Sequence, residues 1–428
     1  VSLLGIGLLL FGLVLIGVPI AISLGLVAVV AMLSGPEGAG SLPNAALVMF
    51  DGATSFPLIA IPLFILAGAI MNASGISRRL IAFASSVVGF IRGGLSMVTI
   101  SASLFFAEIS GSAVADVAAL GSILIPAMRR KGYSRAFAAA VTSSSATLAV
   151  IIPPSIPMII YGVMSGSSIV ELFVAGIVPG VVGGLLMMLV AYMLARRHDF
   201  PREQAFQLRR VWETFREAGW ALLLPVIILG GIFSGWVTAT EGAGLAVVAS
   251  IVVGGLVYRE LDWPQLRTAM LEGGQQTAVV MLLVAASALL GDYLTEVRVP
   301  QRVAEGIMGL TQDRWAILLL LNGFFLVIGL FLHSAAAIIL VVPIVMPLVQ
   351  AAGIDPVHFG LVVTLNLGIG QQTPPVASVL VTACSVAKAD IWEVSKVNLW
   401  FIAVLVAMLL LVTYVPVVPM ALVELFYR

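Results

Sequence analysis

The sequence predicts an all-α polytopic membrane protein made of two inverted-topology repeats, each with a re-entrant helical hairpin and a broken transmembrane helix. Three observations predict it. Hydrophobic residues make up 61 % of 428 positions and charged residues 10 %, and apolar runs longer than about 18 residues recur from end to end. Residues 51–172 and 272–393 overlay without a gap at an offset of 221. The landmarks that coincide interrupt regular backbone: Asp51-Gly52 falls on Glu272-Gly273, Pro126 on Pro347, Gly132 on Gly353, and Pro153-Pro154 on Pro374-Pro375, the two Pro-Pro pairs of the chain. Duplicated breakers in so apolar a chain put two interrupted membrane segments in corresponding places, the pattern of a binding site at a repeat interface.

This alignment divides the chain. Residues 1–50 are expected to form an N-terminal scaffold helix, 51–172 the first repeat (arm, hairpin, broken helix), 173–271 central scaffold helices with a cytoplasmic loop, 272–393 the second repeat, and 394–428 a C-terminal helix. Val1 to Leu33 carries neither a charged leading stretch nor a cleavage site. As one helix of about 50 Å it overshoots a hydrocarbon core of about 30 Å, so it is expected to be a single retained, tilted helix.

Apolar segments end at clusters of positive charge: Arg78-Arg79, Arg129-Arg130-Lys131, Arg196-Arg197, Arg209-Arg210, Arg259, Lys388 and Lys396. Excess Lys and Arg marks the cytoplasmic side. With the N-terminus inside, the chain crosses outward near 5–33 and inward near 57–72, lays Ile76 to Ile91 along the cytoplasmic face as an amphipathic arm, and turns back in a hairpin over 95–128. Crossings over 136–165, 173–195, 219–236, 240–258 and 275–291 follow, then a second arm and a second hairpin near 315–350 on the outside, and crossings over 356–387 and 397–420. This trace puts 17 of the 21 Lys and Arg inside, all but Arg298, Arg302, Arg314 and Arg428. One hairpin faces each side, so the repeats are related by inversion, a symmetry that permits alternating access.

Each arm of the first hairpin reaches only about 22 Å as a helix, short of the hydrocarbon thickness, so it dips in and turns back. Its tip reads Glu108-Ile-Ser-Gly-Ser-Ala-Val-Ala-Asp116. Irregular backbone is barred from lipid, so this tip is buried in protein or wet. The following segment, Ala136 to Ser165, poses the opposite problem: straight, it would span about 45 Å. Thr142-Ser-Ser-Ser-Ala-Thr147, followed by Ile151-Ile-Pro-Pro-Ser155, supplies hydroxyls and two residues without a backbone N–H, which frees carbonyls a turn earlier. An unwound stretch near the midplane follows. Its counterpart runs Thr364-Leu-Asn366-Leu-Gly-Ile-Gly370-Gln-Gln-Thr-Pro-Pro375, and the second hairpin turns near Phe331-Leu-His333-Ser334. One proline in one transmembrane helix is ordinarily only a kink. Duplication at a single offset, beside hairpins too short to cross, is what raises these segments above that reading.

Lys and Arg are absent between Ala136 and Ala195 and between Trp315 and Ala387. If the substrate is an anion, the positive potential offered to it is that of half-helix N-termini, exposed amides and co-bound cations. Ser, Thr, Asn and Gln oxygens with freed carbonyls suit a hard monovalent cation. Proton coupling ordinarily needs an ionisable relay, and these segments hold few acids: Glu171 and Asp355, with Glu108 and Asp116 near the first tip. Sodium is therefore the expected coupling ion, with no other metal and no cofactor. His333 admits two readings, a proton carrier or ligand and a hydrogen-bonded structural histidine. Glu108 and Asp116 are coordinating acids or partners of hairpin backbone and a cytoplasmic arginine. The zero formal charge leaves no basic patch for nucleic acid. The lone Cys384 reads as a small buried hydrophobe, and most tryptophans fall near interfaces, where aromatic belts form.

Glu108-Ile-Ser-Gly-Ser-Ala-Val-Ala-Asp-Val117, Ile125-Pro-Ala-Met128 with Lys131-Gly-Tyr133, Ile151-Ile-Pro-Pro-Ser155 and Gln371-Gln-Thr-Pro-Pro375 together closely resemble the large membrane subunit of tripartite ATP-independent periplasmic (TRAP) transporters, over essentially the whole chain. The resemblance implies an elevator-type ion transporter in the bacterial cytoplasmic (inner) membrane. Its implied activity is sodium-driven uptake of an organic acid such as a C4-dicarboxylate or sialic acid. A periplasmic substrate-binding protein and a small four-helix membrane subunit are the implied partners, the latter as a separate chain because no such helices are fused ahead of this sequence. Carried over by motif, Ser110, Gly111 and Ser112 with Ser143, Ser144, Ser145, Thr147 and Pro153 form one cation site. His333, Ser334, Asn366, Gly368, Gln371, Thr373 and Pro374 form its inverted partner. The substrate lies between them, against Ser145, Pro154, Ser155, Asn366, Gln372 and Thr373.

Three alternatives carry distinguishing expectations. A stand-alone sodium–anion symporter of similar fold would take up substrate without a soluble partner. An intramembrane hydrolase would need a nucleophile and base within hydrogen-bond reach, whereas adjacent residues such as His333-Ser334 point about 100° apart on a helix. A passive channel would conduct without saturation and leaves the matched hairpins unexplained.

Overall fold

A computed structural model describes residues 3–35, 38–110, 113–203 and 205–428. Among them there is no strand, and seven helices are long and apolar enough to cross a membrane. The expected first helix is two: α1 (Leu3–Leu15) and α2 (Ile20–Leu33). Pro19, which caps α2, lacks the N–H that would continue α1, and this breaks the tilted helix expected over 1–33. The N-terminal region also contains α3 (Leu42–Thr54), so 1–50 is not one scaffold helix. A 3-10 turn at Phe56–Ile59, with Pro57 in it, leads into α4 (Ala60–Ala73).

The amphipathic arm is α5 (Ile76–Val88), and the first hairpin is α6 (Gly94–Ser110) and α7 (Ala113–Arg130). The broken segment is α8 (Arg135–Thr147), a 3-10 turn at Leu148–Val150, and α9 (Ile156–Ser165). Then come the long α10 (Ile169–Arg197), α11 (Leu208–Phe233), α12 (Ala239–Val252) and α13 (Trp263–Glu296). The second arm is α14 (Val299–Leu310), and the second hairpin is α15 (Arg314–Gly329) and α16 (Ser334–Ala351). The second broken segment is α17 (Pro356–Gly370) and α18 (Ser378–Ala387). The chain ends with α19 (Ile391–Tyr414) and α20 (Val417–Tyr427), split at Val415-Pro416 rather than forming one C-terminal helix.

Offset by 221, α5 through α9 fall on α14 through α18. The correspondence extends to local capping. Gly132 ends α7 at φ +87° and Gly353 ends α16 at φ +65°, a left-handed conformation that glycine adopts without a Cβ penalty. In both, the following amide returns to the helix, Tyr133 to Met128 at 3.1 Å and Ile354 to Val349 at 3.0 Å. One difference is instructive. Ser55-Phe56-Pro57, which separates α3 from α4, is matched by Gln276-Thr277-Ala278, and without the proline the second copy runs on as the 34-residue α13.

The helices sort into two layers by packing. Helix α2 packs on α13 and α12 on α4, while α5 packs on α11; these form a scaffold. Both hairpins, both broken helices, α10, α19 and α20 pack among themselves as a second body. The repeats are not symmetric where the bodies meet. Helix α16 packs against α13 and α14, whereas α7 and α4, the counterparts of α16 and α13, face one another across a cavity.

Candidate functional site

Each break is built by the residues that cause it. In the first, α8 tightens into a 3-10 turn, and Ile151 to Ser155 leave helical geometry across the cis Pro153-Pro154 bond. Ser155 spans the gap: its hydroxyl donates to the Val150 carbonyl at 2.6 Å and accepts from the Met158 amide at 3.4 Å, capping α9. In the second, Gln371 to Ala377 separate α17 from α18 across the cis Pro374-Pro375 bond. There the Val376 amide reaches the Leu330 carbonyl at the end of α15, 3.3 Å away. Gly329 and Gly370 meet so closely that a Cβ on Gly370 would lie 2.4 Å from the Gly329 carbonyl carbon. The second hairpin thus sits directly on the second break.

The two breaks are also joined to each other. Gln372 Nε2 donates to the Ser143 carbonyl at 2.8 Å and to the Thr147 hydroxyl, and Gln372 Oε1 accepts from Asn398 Nδ2 at 3.1 Å. Asn398 Oδ1 accepts from the Ser144 hydroxyl. Gly368 faces Thr147, where a Cβ would come within 3.0 Å of Cγ2. All these groups are buried, and in a low-dielectric interior such a satisfied network is strong and directional.

Ser143 bonds the Ala140 carbonyl at 3.1 Å, and the Ser145 hydroxyl lies 2.9 Å from that of Ser103. Both therefore sit in the last turns of α8, ahead of the break rather than in an unwound stretch, with their hydroxyls already engaged by protein. Asn366 Nδ2 donates to Asn322 Oδ1 at 2.7 Å, and Asn322 Nδ2 to the Thr413 hydroxyl at 3.1 Å. Asn366 Oδ1 is buried with no donor, as a cation ligand would be. Thr373 bonds back to the Ile369 carbonyl, and Pro374 is half-buried beside it. Gln372 and Ser155, expected against substrate, spend their polar atoms on the breaks instead. The Ser110 side chain, Gly111 and Ser112 lie outside the described residues.

His333, Ser334, Gln371, Val150 and Ile156 line a cavity of about 610 Å³ that also meets Ala113 to Ala115 of α7 and Gln275, Gln276 and Val279 of α13. It brings together the N-terminal ends of α7 and α16, both breaks and the scaffold. A second cavity of about 540 Å³ shares Ile65, Ala115, Ala118 and Gln276 with it and runs between α4, α7 and α13 to Asn72, Gly75, Ser77 and Arg78. Among the described residues no group of His, Cys, Asp and Glu could hold a metal ion. Neutral oxygens and amides make up the polar lining of the inner cavity apart from His333.

At the Arg78 end of the second cavity, Arg78 and Arg79 share Glu260 at 3.0 and 2.7 Å and hold its carboxyl below the usual range, the Arg79 hydrogen bond being the main cause. Arg79 also covers the Tyr258 ring at 3.8 Å. At the turn between α7 and α8, burial pushes the Tyr133 hydroxyl up to about 12. Sequence reasoning missed Asn72, Ser103, Asn322, Asn398 and Thr413. A lone asparagine in an apolar helix is a signal in itself.

The family of the tripartite ATP-independent periplasmic transporter DctM component matches residues 8–418. The isethionate TRAP transporter permease protein DctMQ of Oleidesulfovibrio alaskensis is 43 % identical over 95 % of this chain, which spans 64 % of that relative's length. The C4-dicarboxylate TRAP transporter large permease protein DctM of Pseudomonas aeruginosa is 40 % identical over 92 % of both. In fold, the YdaH transporter of Alcanivorax borkumensis superposes with a TM-score of 0.64 at 15 % identity, covering 88 % of this chain and 89 % of that one. The motifs, the paired breaks and the family match over residues 8–418 converge: this multi-pass membrane protein belongs to the DctM family, the large permease component of TRAP transporters.

Proposed function

We propose that the chain carries out sodium-coupled uptake of an organic anion, of the C4-dicarboxylate or sialic acid class, across the bacterial cytoplasmic membrane. The body of hairpins and broken helices moves as an elevator against the scaffold. A periplasmic binding protein delivers the anion, and a small four-helix membrane subunit braces the scaffold. The observation that carries this reading is the asymmetry between repeats: α16 lies against α13, while its counterpart α7 stands off α4 across a cavity that joins the inner one. Exchanging the two arrangements closes one route and opens the other, which is how inverted repeats alternate access. The open route ends beside Arg78, in a positive cluster assigned to the cytoplasm, which supports an inward-open state.

For coupling, the unpaired Asn366 oxygen and the hydroxyls of Ser143, Ser145 and Thr147 supply neutral oxygen ligands of the kind sodium takes. The relatives named for isethionate and C4-dicarboxylate support an organic anion as substrate. The test is reconstitution with the small subunit and candidate binding proteins in liposomes, measuring uptake with and without a sodium gradient. Uptake that needs the gradient and the binding protein sustains the proposal. Sodium-independent uptake defeats it, and sodium-driven uptake without a binding protein identifies a stand-alone symporter.

A further inference from the structure

We infer that the N-terminus of α16 and the side-chain amide of Gln371 together form the subsite for the substrate's oxyanion group, a carboxylate or sulfonate. This rests on the reading that the substrate is an organic anion, and it assigns Gln371 to the anion rather than to a cation. Gln371 is 4 % exposed and lines the 610 Å³ cavity, yet its Nε2 has no hydrogen-bond acceptor. A buried amide donor left unpaired destabilises the fold, and an oxyanion in the cavity removes that cost.

The second donor set is backbone. Helix α16 is 18 residues long, and His333 at its N-cap gives no side-chain bond. The first intrahelical bond runs from the Ala337 amide to the His333 carbonyl at 3.0 Å, so the amides of Ser334, Ala335 and Ala336 have no acceptor within the helix. His333, Ser334 and Ala335 line the same cavity as Gln371. A helix N-terminus concentrates positive potential on such a ligand. The tether from the Val376 amide to the Leu330 carbonyl and the close Gly329–Gly370 approach hold hairpin and break together, so the two donor sets travel as a unit. Gln372 is excluded from this role because Ser143, Thr147 and Asn398 already engage its amide.

The subsite explains how a site without Lys or Arg takes an anion. It predicts that a negative charge at Gln371, or loss of its amide, acts on the anion and leaves sodium alone. The test is thermal stabilisation of the purified chain with its small subunit, by sodium alone and then by sodium with succinate, isethionate or sialic acid; the three probes separate carboxylate from sulfonate recognition. In the unmodified protein at least one anion raises the midpoint. In Gln371→Glu, and in Gln371→Leu as an uncharged control, the sodium shift persists and the anion's apparent Kd rises roughly 10- to 100-fold, the loss of one charge-assisted hydrogen bond. Retained anion affinity in both variants overturns the subsite. So does loss of the sodium shift, which would make Gln371 a cation ligand, or failure of all three anions to stabilise the unmodified protein. Sodium-independent uptake by the unmodified protein, with the Gln371 effect intact, would instead defeat the coupling and leave the subsite standing.

Discussion

The side-chain amide of Gln372 donates to the main-chain carbonyl of Ser143 at 2.8 Å, fastening the second broken helix to the first across 229 residues of sequence. A polar side chain in lipid-embedded structure has to find its partners within the protein. Gln372 finds them in Ser143 and Thr147, in the last turns of the helix that leads into the first break, and in Asn398 of α19. Gln372→Ala leaves buried partners unbonded at about 1–3 kcal/mol each. The expected outcome is a clear fall in melting temperature and in yield of monodisperse protein. Surviving protein should keep its anion Kd, unlike the Gln371 variants; a scanning-fluorimetry melt beside a binding curve checks both.

Adjacent glutamines with opposite duties mark the limit of what the sequence reveals. The location of the breaks was legible because Pro-Pro has a local backbone consequence and recurs at a fixed offset. Which glutamine faces the cavity was not, because that depends on Asn398 and on the contact between the two breaks. Single prolines behaved likewise. Pro126, Pro179, Pro225, Pro343 and Pro347 all remain inside helices, whereas Pro19 and Pro416 separate helices in the two terminal segments expected to be continuous. A missing N–H is tolerated where packing holds the helix on both sides, and packing is not written in a local window.

Gly370→Ala puts a methyl within 2.4 Å of the backbone of Gly329, where no side chain can move aside. The expected cost is about 1–3 kcal/mol or more from overpacking, with the second hairpin displaced from its break. Gly132→Ala meets nothing within 4 Å and carries only the strain of positive φ, about 1–2 kcal/mol. The melting temperature should therefore fall further for Gly370→Ala, and transport with it.

Asn366 Oδ1 is buried without a donor, while its Nδ2 is held by Asn322 and the Val362 carbonyl. If that oxygen binds sodium, Asn366→Ala raises the half-saturating sodium concentration of uptake by about tenfold, the loss of roughly 1.4 kcal/mol. Sodium titration of uptake at fixed substrate measures it. An unchanged sodium curve in a folded variant would remove Asn366 from the cation site.

Outside the spans, Asp355 caps α17 through the Val357 and His358 amides and pairs with Arg428, which also reaches Glu171 at 3.0 Å. Burial works to raise the Asp355 carboxyl, but the Arg428 hydrogen bond and the two amides outweigh it and hold the pKa below the usual range. A carboxylate depressed in the folded state contributes stability that is fully present above its unfolded pKa and is lost as pH falls through the folded value. Asp355→Asn should therefore lower the melting temperature at neutral pH and by a diminishing amount below about pH 4. Melts across that range in parent and variant check the convergence.

Alternating access requires one movement, the closing of α7 onto α4 as α16 now lies on α13. Ala69 and Ser122 line opposite walls of the cavity that this movement would close. Cysteines at both positions, in a Cys384→Ser background, should cross-link faster under sodium and substrate than without them, and the cross-link should stop uptake until it is reduced. Cross-linking at one rate in all conditions, with transport undiminished in the cross-linked protein, would contradict it.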